Sequence, residues 1–142
     1  MGTNIDHAAV PGLLRRLAAI FYDGWLIVAI WMVGVTVDTF VGAGSQGSHL
    51  GLQLYVIAST VTFFGWFWMH GGQTLGMRAW RLKLLSRDGG TVSLRQTLIR
   101  SAGALLSFLT LGLGYLWMLL DRDGLTLHDR LSGTRLVLIK RD

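Results

Sequence analysis

Asp23 interrupts an otherwise apolar run, Leu17 to Val37, that is long enough to cross a bilayer. A carboxylate near the middle of a hydrocarbon slab costs on the order of 2.5–3.5 kcal/mol on insertion scales, so it faces protein or water. Two chemistries suit it: alternate binding of a cation and a proton, as at a transport site, or a structural ion pair. Arg16 shares the helical face of Asp23 but lies almost two turns away, roughly 10 Å of rise. Its side chain leans toward the helix N-terminus and the membrane surface, so Asp23 needs a partner from another segment. Arg100, at the start of the third apolar stretch, is the cation expected at shallow depth on the same side. The structural pair is the favoured reading, because exchange usually draws on several buried carboxylates and the other apolar stretches contain none.

His128 and Asp129 suggest a general base with its orienting carboxylate. Adjacent residues on a helix point about 100° apart, however, so they do not form a dyad. A polar network linking the C-terminal segment to Gln73 and Arg78 is the expected role instead. His7, His49 and His70 are scattered, and no pair has the spacing of a metal site. Gly71-Gly72-Gln73-Thr74-Leu75-Gly76 lacks the Lys-Ser/Thr ending of a phosphate loop and reads as a tight turn. No catalytic residue, cofactor or metal ligand emerges, and the chain is expected not to be an enzyme.

The elements that must position these residues are membrane helices. Of 142 residues 51% are hydrophobic and only 15% charged, against about 25% in a soluble domain. Nineteen glycines fit membrane helices that approach closely. With no cysteine there is no disulfide, thiolate or cysteine metal site. The N-terminus lacks a basic region and a cleavage site, so the first apolar run is expected to stay as an anchor. The net charge of +5 has no basic run interleaved with exposed aromatics, which argues against nucleic acid.

Three stretches approach the length of a span: 17–37, 50–69 and 101–120. Asp38 to His49 contains no Lys or Arg, whereas Arg15 and Arg16 precede the first span and Arg78, Arg81, Lys83, Arg87, Arg95 and Arg100 follow the second. The positive-inside rule therefore puts the N-terminus in the cytoplasm. A single third crossing would place Arg122, Arg130, Arg135, Lys140 and Arg141 outside. A break at Leu111-Gly112-Leu113-Gly114 would resolve the conflict by making the stretch re-entrant; a plain third span remains the alternative. Ala79 to Leu85 alternates apolar and basic residues before Asp88-Gly89-Gly90 and reads as a short strand or interfacial segment. Thr134 to Lys140 could pair with it only if both lie on one side. Ser93 is a candidate helix cap. The aromatics Phe63, Phe64, Trp66, Phe67 and Trp68 read as an interface belt and packing surface.

Leu14-Arg15-Arg16-Leu17-Ala18-Ala19 with Asp23, then Gly71-Gly72-Gln73-Thr74-Leu75-Gly76-Met77-Arg78, then Leu127-His128-Asp129-Arg130-Leu131-Ser132-Gly133-Thr134, resemble in this order the RDD family of small membrane proteins, named for an arginine and two aspartates. The resemblance implies that the family arginine is Arg16, with Arg15 adjacent, and that its first aspartate is Asp23. Asp129 is the first choice for the second aspartate and Asp121 the second. Met77 departs from the basic residue that members often carry there. The resemblance further implies one domain over 1–142. Its fold would be an all-α integral membrane protein of three apolar helices, the third broken or re-entrant, with short cytoplasmic amphipathic or β-like segments. Membrane transport, including exchange of sodium or potassium ions for protons, has been proposed for some members, and a scaffold role for others. The expectation is therefore a multi-pass protein of the cytoplasmic (inner) membrane that moves cations or small solutes as an oligomer. The alternative is an adaptor that binds another membrane protein. Its partners would be membrane lipids, its own copies or that protein, with monovalent cations and protons as cargo.

Overall fold

The computed structural model describes residues 9–41 and 50–139. His7, His49, Lys140, Arg141 and most of the loop after Asp38 lie outside the described residues. Two long helices come first, α1 (Leu13–Phe40) and α2 (Leu50–Met69), both long and apolar enough to cross a membrane. There follow α3 (Leu75–Ala79), β1 (Leu82–Ser86), α4 (Leu94–Leu109), α5 (Leu113–Leu116) with a 3-10 turn at Trp117–Leu119, α6 (Leu127–Ser132) and β2 (Thr134–Leu138). Local signals set the boundaries of the short helices. Thr74 caps α3 through its side chain, and Ser93 with Gln96 forms a reciprocal capping box at α4.

Burial is confined to one end. Along α1 only Arg16, Ala19, Asp23 and Ile27 are buried, and along α2 only Gly65 and Trp68. Ala19 and Trp68 pack with Met77, Leu82, Leu84, Val92 and Leu136 into one apolar core. Beyond it the two helices expose Met32, Val33, Leu54 and Ile57, as surfaces in contact with hydrocarbon do. Trp31 Nε1 donates to Thr60 Oγ1 at 3.1 Å and Tyr55 Oη to the Ile30 carbonyl at 2.8 Å, tying the pair together at depth. Met77 lies 6% exposed within the core, where a charge would be costly to desolvate.

The two β-like segments pair antiparallel, Leu82 opposite Leu138 and Ser86 opposite Thr134. The first strand starts three residues later than the alternation suggests, because α3 runs to Ala79 and Arg81 turns the chain at φ 57°. Leu138 N–H donates to the Ala9 carbonyl and Ile139 N–H to that of Arg81. The segment before α1, the segment after α2 and the end of β2 therefore share one end of the molecule.

The third apolar stretch is not a straight span. α4 and the Leu113–Leu119 segment meet at 108°, with the break at the predicted Leu-Gly-Leu-Gly sequence. Leu111 at φ 56° and Gly112 at φ 86° are consecutive left-handed residues, and the Gly112 N–H returns to the Ser107 carbonyl at 2.7 Å. The leucine in that region costs about 1 kcal/mol. The stretch is thus a bent pair whose continuation returns to the sheet.

Gly76 is where α3 meets α1. A Cβ there would lie 2.3 Å from the Ala19 carbonyl oxygen and 2.9 Å from Asp23 Cγ. Gly76→Ala is expected to destabilise the protein by about 1–3 kcal/mol, since a helix backbone cannot step aside cheaply. Gly24→Ala, with nothing within 4 Å of its new methyl, should not; thermal unfolding in detergent compares the two.

Candidate functional site

Asp129 is fully buried, and both of its carboxylate oxygens are occupied. Its Oδ2 accepts from Arg16 Nη1 at 2.7 Å and from the Thr126 N–H at 3.1 Å, while Oδ1 accepts from Arg100 Nη1. One carboxylate thus joins α1, α4 and α6. The Thr126 contact comes from a capping box in which the Asp129 N–H donates back to Thr126 Oγ1, so the same side chain caps α6 and clamps the helices. Arg16 also donates to the Pro11 and Gly124 carbonyls, each at 3.3 Å. Its lean toward the helix start, away from Asp23, is what brings it to Asp129.

Two guanidiniums and one carboxylate leave this buried cluster with an excess positive charge. The Arg100 guanidinium lies 5.1 Å from the centroid of the Trp68 ring and donates to Thr134 Oγ1 at 3.0 Å, so an aromatic face and a hydroxyl share that charge. Burial works to raise the Asp129 pKa, but Arg100 and Arg16 outweigh it and hold the carboxyl well below the usual carboxylate range. For His128, 2% exposed and edge-on to Tyr115 at 4.7 Å, burial works in the other direction. Burial, followed by repulsion from Arg100, pushes its pKa down to about 3, so it is a neutral packing residue at physiological pH.

Asp23 is buried to 2% exposure and has no cation partner among the described residues. Its Oδ2 accepts the Thr74 hydroxyl and its Oδ1 the Gly76 N–H at 2.8 Å, so α3 fills the space beside it. The expected pairing with Arg100 is therefore incorrect: a nearer carboxylate, Asp129, takes that guanidinium. The expected network from the C-terminal segment to Gln73 and Arg78 is also replaced. Gln73 Nε2 donates to the Leu82 carbonyl at 2.7 Å, Arg78 is exposed, and the segment reaches Arg16 and Arg100 instead. Arg15 is exposed. Asp121 is tied to Arg130, whose side chain reaches solvent, accepting from its Nε at 2.5 Å and from the Leu125 N–H at 2.9 Å, with Arg130 reaching the exposed Asp123 as well.

Thr74 and Thr126 were missed as site residues. For Thr126 the signal was readable, since Thr-Leu-His-Asp has the spacing of a capping box. The family model described as the RDD family matches residues 10–133, which contain Arg16, Asp23 and Asp129. The chain belongs to the RDD family. Curated proteins and solved structures give no match. In this RDD protein the matched region ends at Gly133, so the strand that pairs with β1 follows it.

Asp129→Asn leaves two buried guanidiniums short of a counter-ion and should cost about 3–5 kcal/mol, whereas Asp121→Asn, whose partner Arg130 reaches solvent and keeps Asp123, should change the unfolding temperature far less. His128 supplies a pH signature. An unfolded imidazole takes up a proton near pH 6.5, while the buried one resists to about 3. Stability is therefore complete above 6.5 and falls by about 1.4 kcal/mol per pH unit toward 3. Asp129 adds a loss only below about 4, its unfolded value being near 3.8. Thermal unfolding of His128→Asn should lack the decline between pH 6.5 and 4 that the native chain shows.

Proposed function

We propose that this RDD protein is a membrane assembly module of the cytoplasmic (inner) membrane: α1 and α2 cross it, and the chain associates with another membrane protein or with its own copies. The N-terminus and the packed end lie in the cytoplasm on this reading. Arg15, Arg78, Arg81, Arg87 and Arg95 support that orientation, because all follow or precede the spans at the end where the strands pair. The chain is proposed not to be an enzyme.

One observation carries the assembly reading. All four oxygens of Asp23 and Asp129 are engaged by donors of the chain itself, so the two family carboxylates act as structural fasteners. The long helices supply the other half of the argument. A shallow groove of about 440 Å³ on the spanning pair has large walls, Tyr55, Phe63, Trp66 and Phe67 among them, around the small Ala58, Ser59 and Thr62, which would let a second helix approach closely.

Cation–proton exchange is the second reading, and it rests on Asp23, a carboxylate within α1 held only by a hydroxyl and an N–H. Flux separates the two. Proteoliposomes holding the native chain should show no more cation-driven proton movement than protein-free vesicles. Ser59→Cys, in a chain without native cysteine, should form a discrete cross-linked adduct in native membranes. Flux that Asp23→Asn abolishes without lowering the unfolding temperature would overturn the assembly reading in favour of exchange.

A further inference from the structure

α4 is built inside out for a helix in water. Its buried face carries Thr97, Arg100, Gly103 and Ser107, the polar and small residues, while its outward face carries leucine and phenylalanine. Leu105, Phe108 and Leu109 are 59%, 78% and 69% exposed. The apolar edge continues around the bend through Leu111, Leu113 and Leu120 at 95%, 62% and 84%. An apolar edge this long, on a helix that turns Arg100 inward, belongs in hydrocarbon.

Its path fixes how far it enters. The start of α4 is joined to β1 and the end of the bent segment leads to α6 and β2, and the two strands are hydrogen-bonded to each other. Both ends therefore leave on the same side. The Leu113–Leu119 return is about 10 Å long, well under the ~30 Å hydrocarbon thickness, so it cannot cross the core. Cations flank the elbow. Arg95 lies in the first turn of α4 and Arg122 just beyond Leu120; both are exposed, and neither forms an ion pair among the described residues.

We propose that the α4–α5 elbow is a single-leaflet lipid anchor, with its leucine edge among the acyl chains of the leaflet nearest β1 and β2, and with Arg95 and Arg122 at the headgroups of anionic phospholipids. Hydrophobic burial accounts for the edge and charge complementarity for its two flanks. The proposal depends on neither the assembly nor the exchange reading, since it concerns a surface that both leave unused.

Single cysteines test it in a chain that has none of its own. In expressing cells and in inside-out vesicles made from them, Thr91→Cys and Asp123→Cys should react with an impermeant maleimide from the same side, and Leu111→Cys from neither. In nanodiscs containing phosphatidylglycerol, a fluorophore on Leu111→Cys should be quenched by lipids with a mid-chain nitroxide. Headgroup-labelled anionic lipid should be enriched about fivefold near a fluorophore on Thr91→Cys, and Arg95→Gln/Arg122→Gln should remove that enrichment. Labelling of residues 91 and 123 from opposite sides would overturn the anchor, as would labelling of residue 111 from the far side. Absence of nitroxide quenching would show that protein rather than lipid covers the edge. Equal enrichment with and without the two arginines would overturn the headgroup contact.

Discussion

A carboxylate held between two guanidiniums, away from water, is the constraint on which the rest of this molecule depends. Asp129 is reached by Arg16 from α1 and by Arg100 from α4, segments separated by most of the chain. Attraction between such charges is large at low dielectric, but so is the cost of dehydrating them, so the net gain in stability is modest. What the arrangement secures is register. Any other rotation of α1, or any other seating of α6 on α4, leaves a buried arginine without its counter-ion, which is far more costly than a poor apolar contact. Because Asp129 also caps α6, the short helix cannot form correctly without presenting its carboxylate to both arginines.

The packing of the polar end follows from that lock. Burial first, and then the charge of Arg100, keep His128 neutral, and Arg100 lies against the Trp68 ring, so even the aromatic at the end of α2 takes part. Asp23 belongs to a separate fastening, in which α3 brings the Thr74 hydroxyl and the Gly76 N–H to α1. The two aspartates hold two different elements to one helix. Beyond Ile27 that helix has no buried residue and presents its side chains outward.

Much of this could be read from the residues. Apolar length located both long helices, the Leu-Gly-Leu-Gly sequence located the bend, Ser93 located the start of α4, alternation located the first strand, and β-branched and aliphatic residues located the second. Asp23 shows where the reading failed. A search for its partner among charged residues led to Arg100, but a buried carboxylate can be satisfied by a hydroxyl and a backbone N–H, and neither leaves a charge pattern to find. Arg100 in turn was claimed by Asp129 through the packing of α6 on α4, a contact between distant segments with no local periodicity. Gln73 and Arg78 lie close to the site in sequence, yet the turn at Gly71 and Gly72 directs Gln73 to β1 and leaves Arg78 in solvent.

The most direct measurement of the central claim is a double-mutant cycle between Arg16 and Asp129, using Arg16→Met and Asp129→Leu and reading unfolding free energy in one detergent at fixed pH. If the carboxylate clamps the helices, Asp129→Leu strands two buried guanidiniums, one of which Arg16→Met removes in the double variant, so that variant should be more stable than the summed losses predict by at least about 1.5 kcal/mol. Losses that simply add would contradict the account, since they would mean that the arginine and the aspartate stabilise the fold independently of one another.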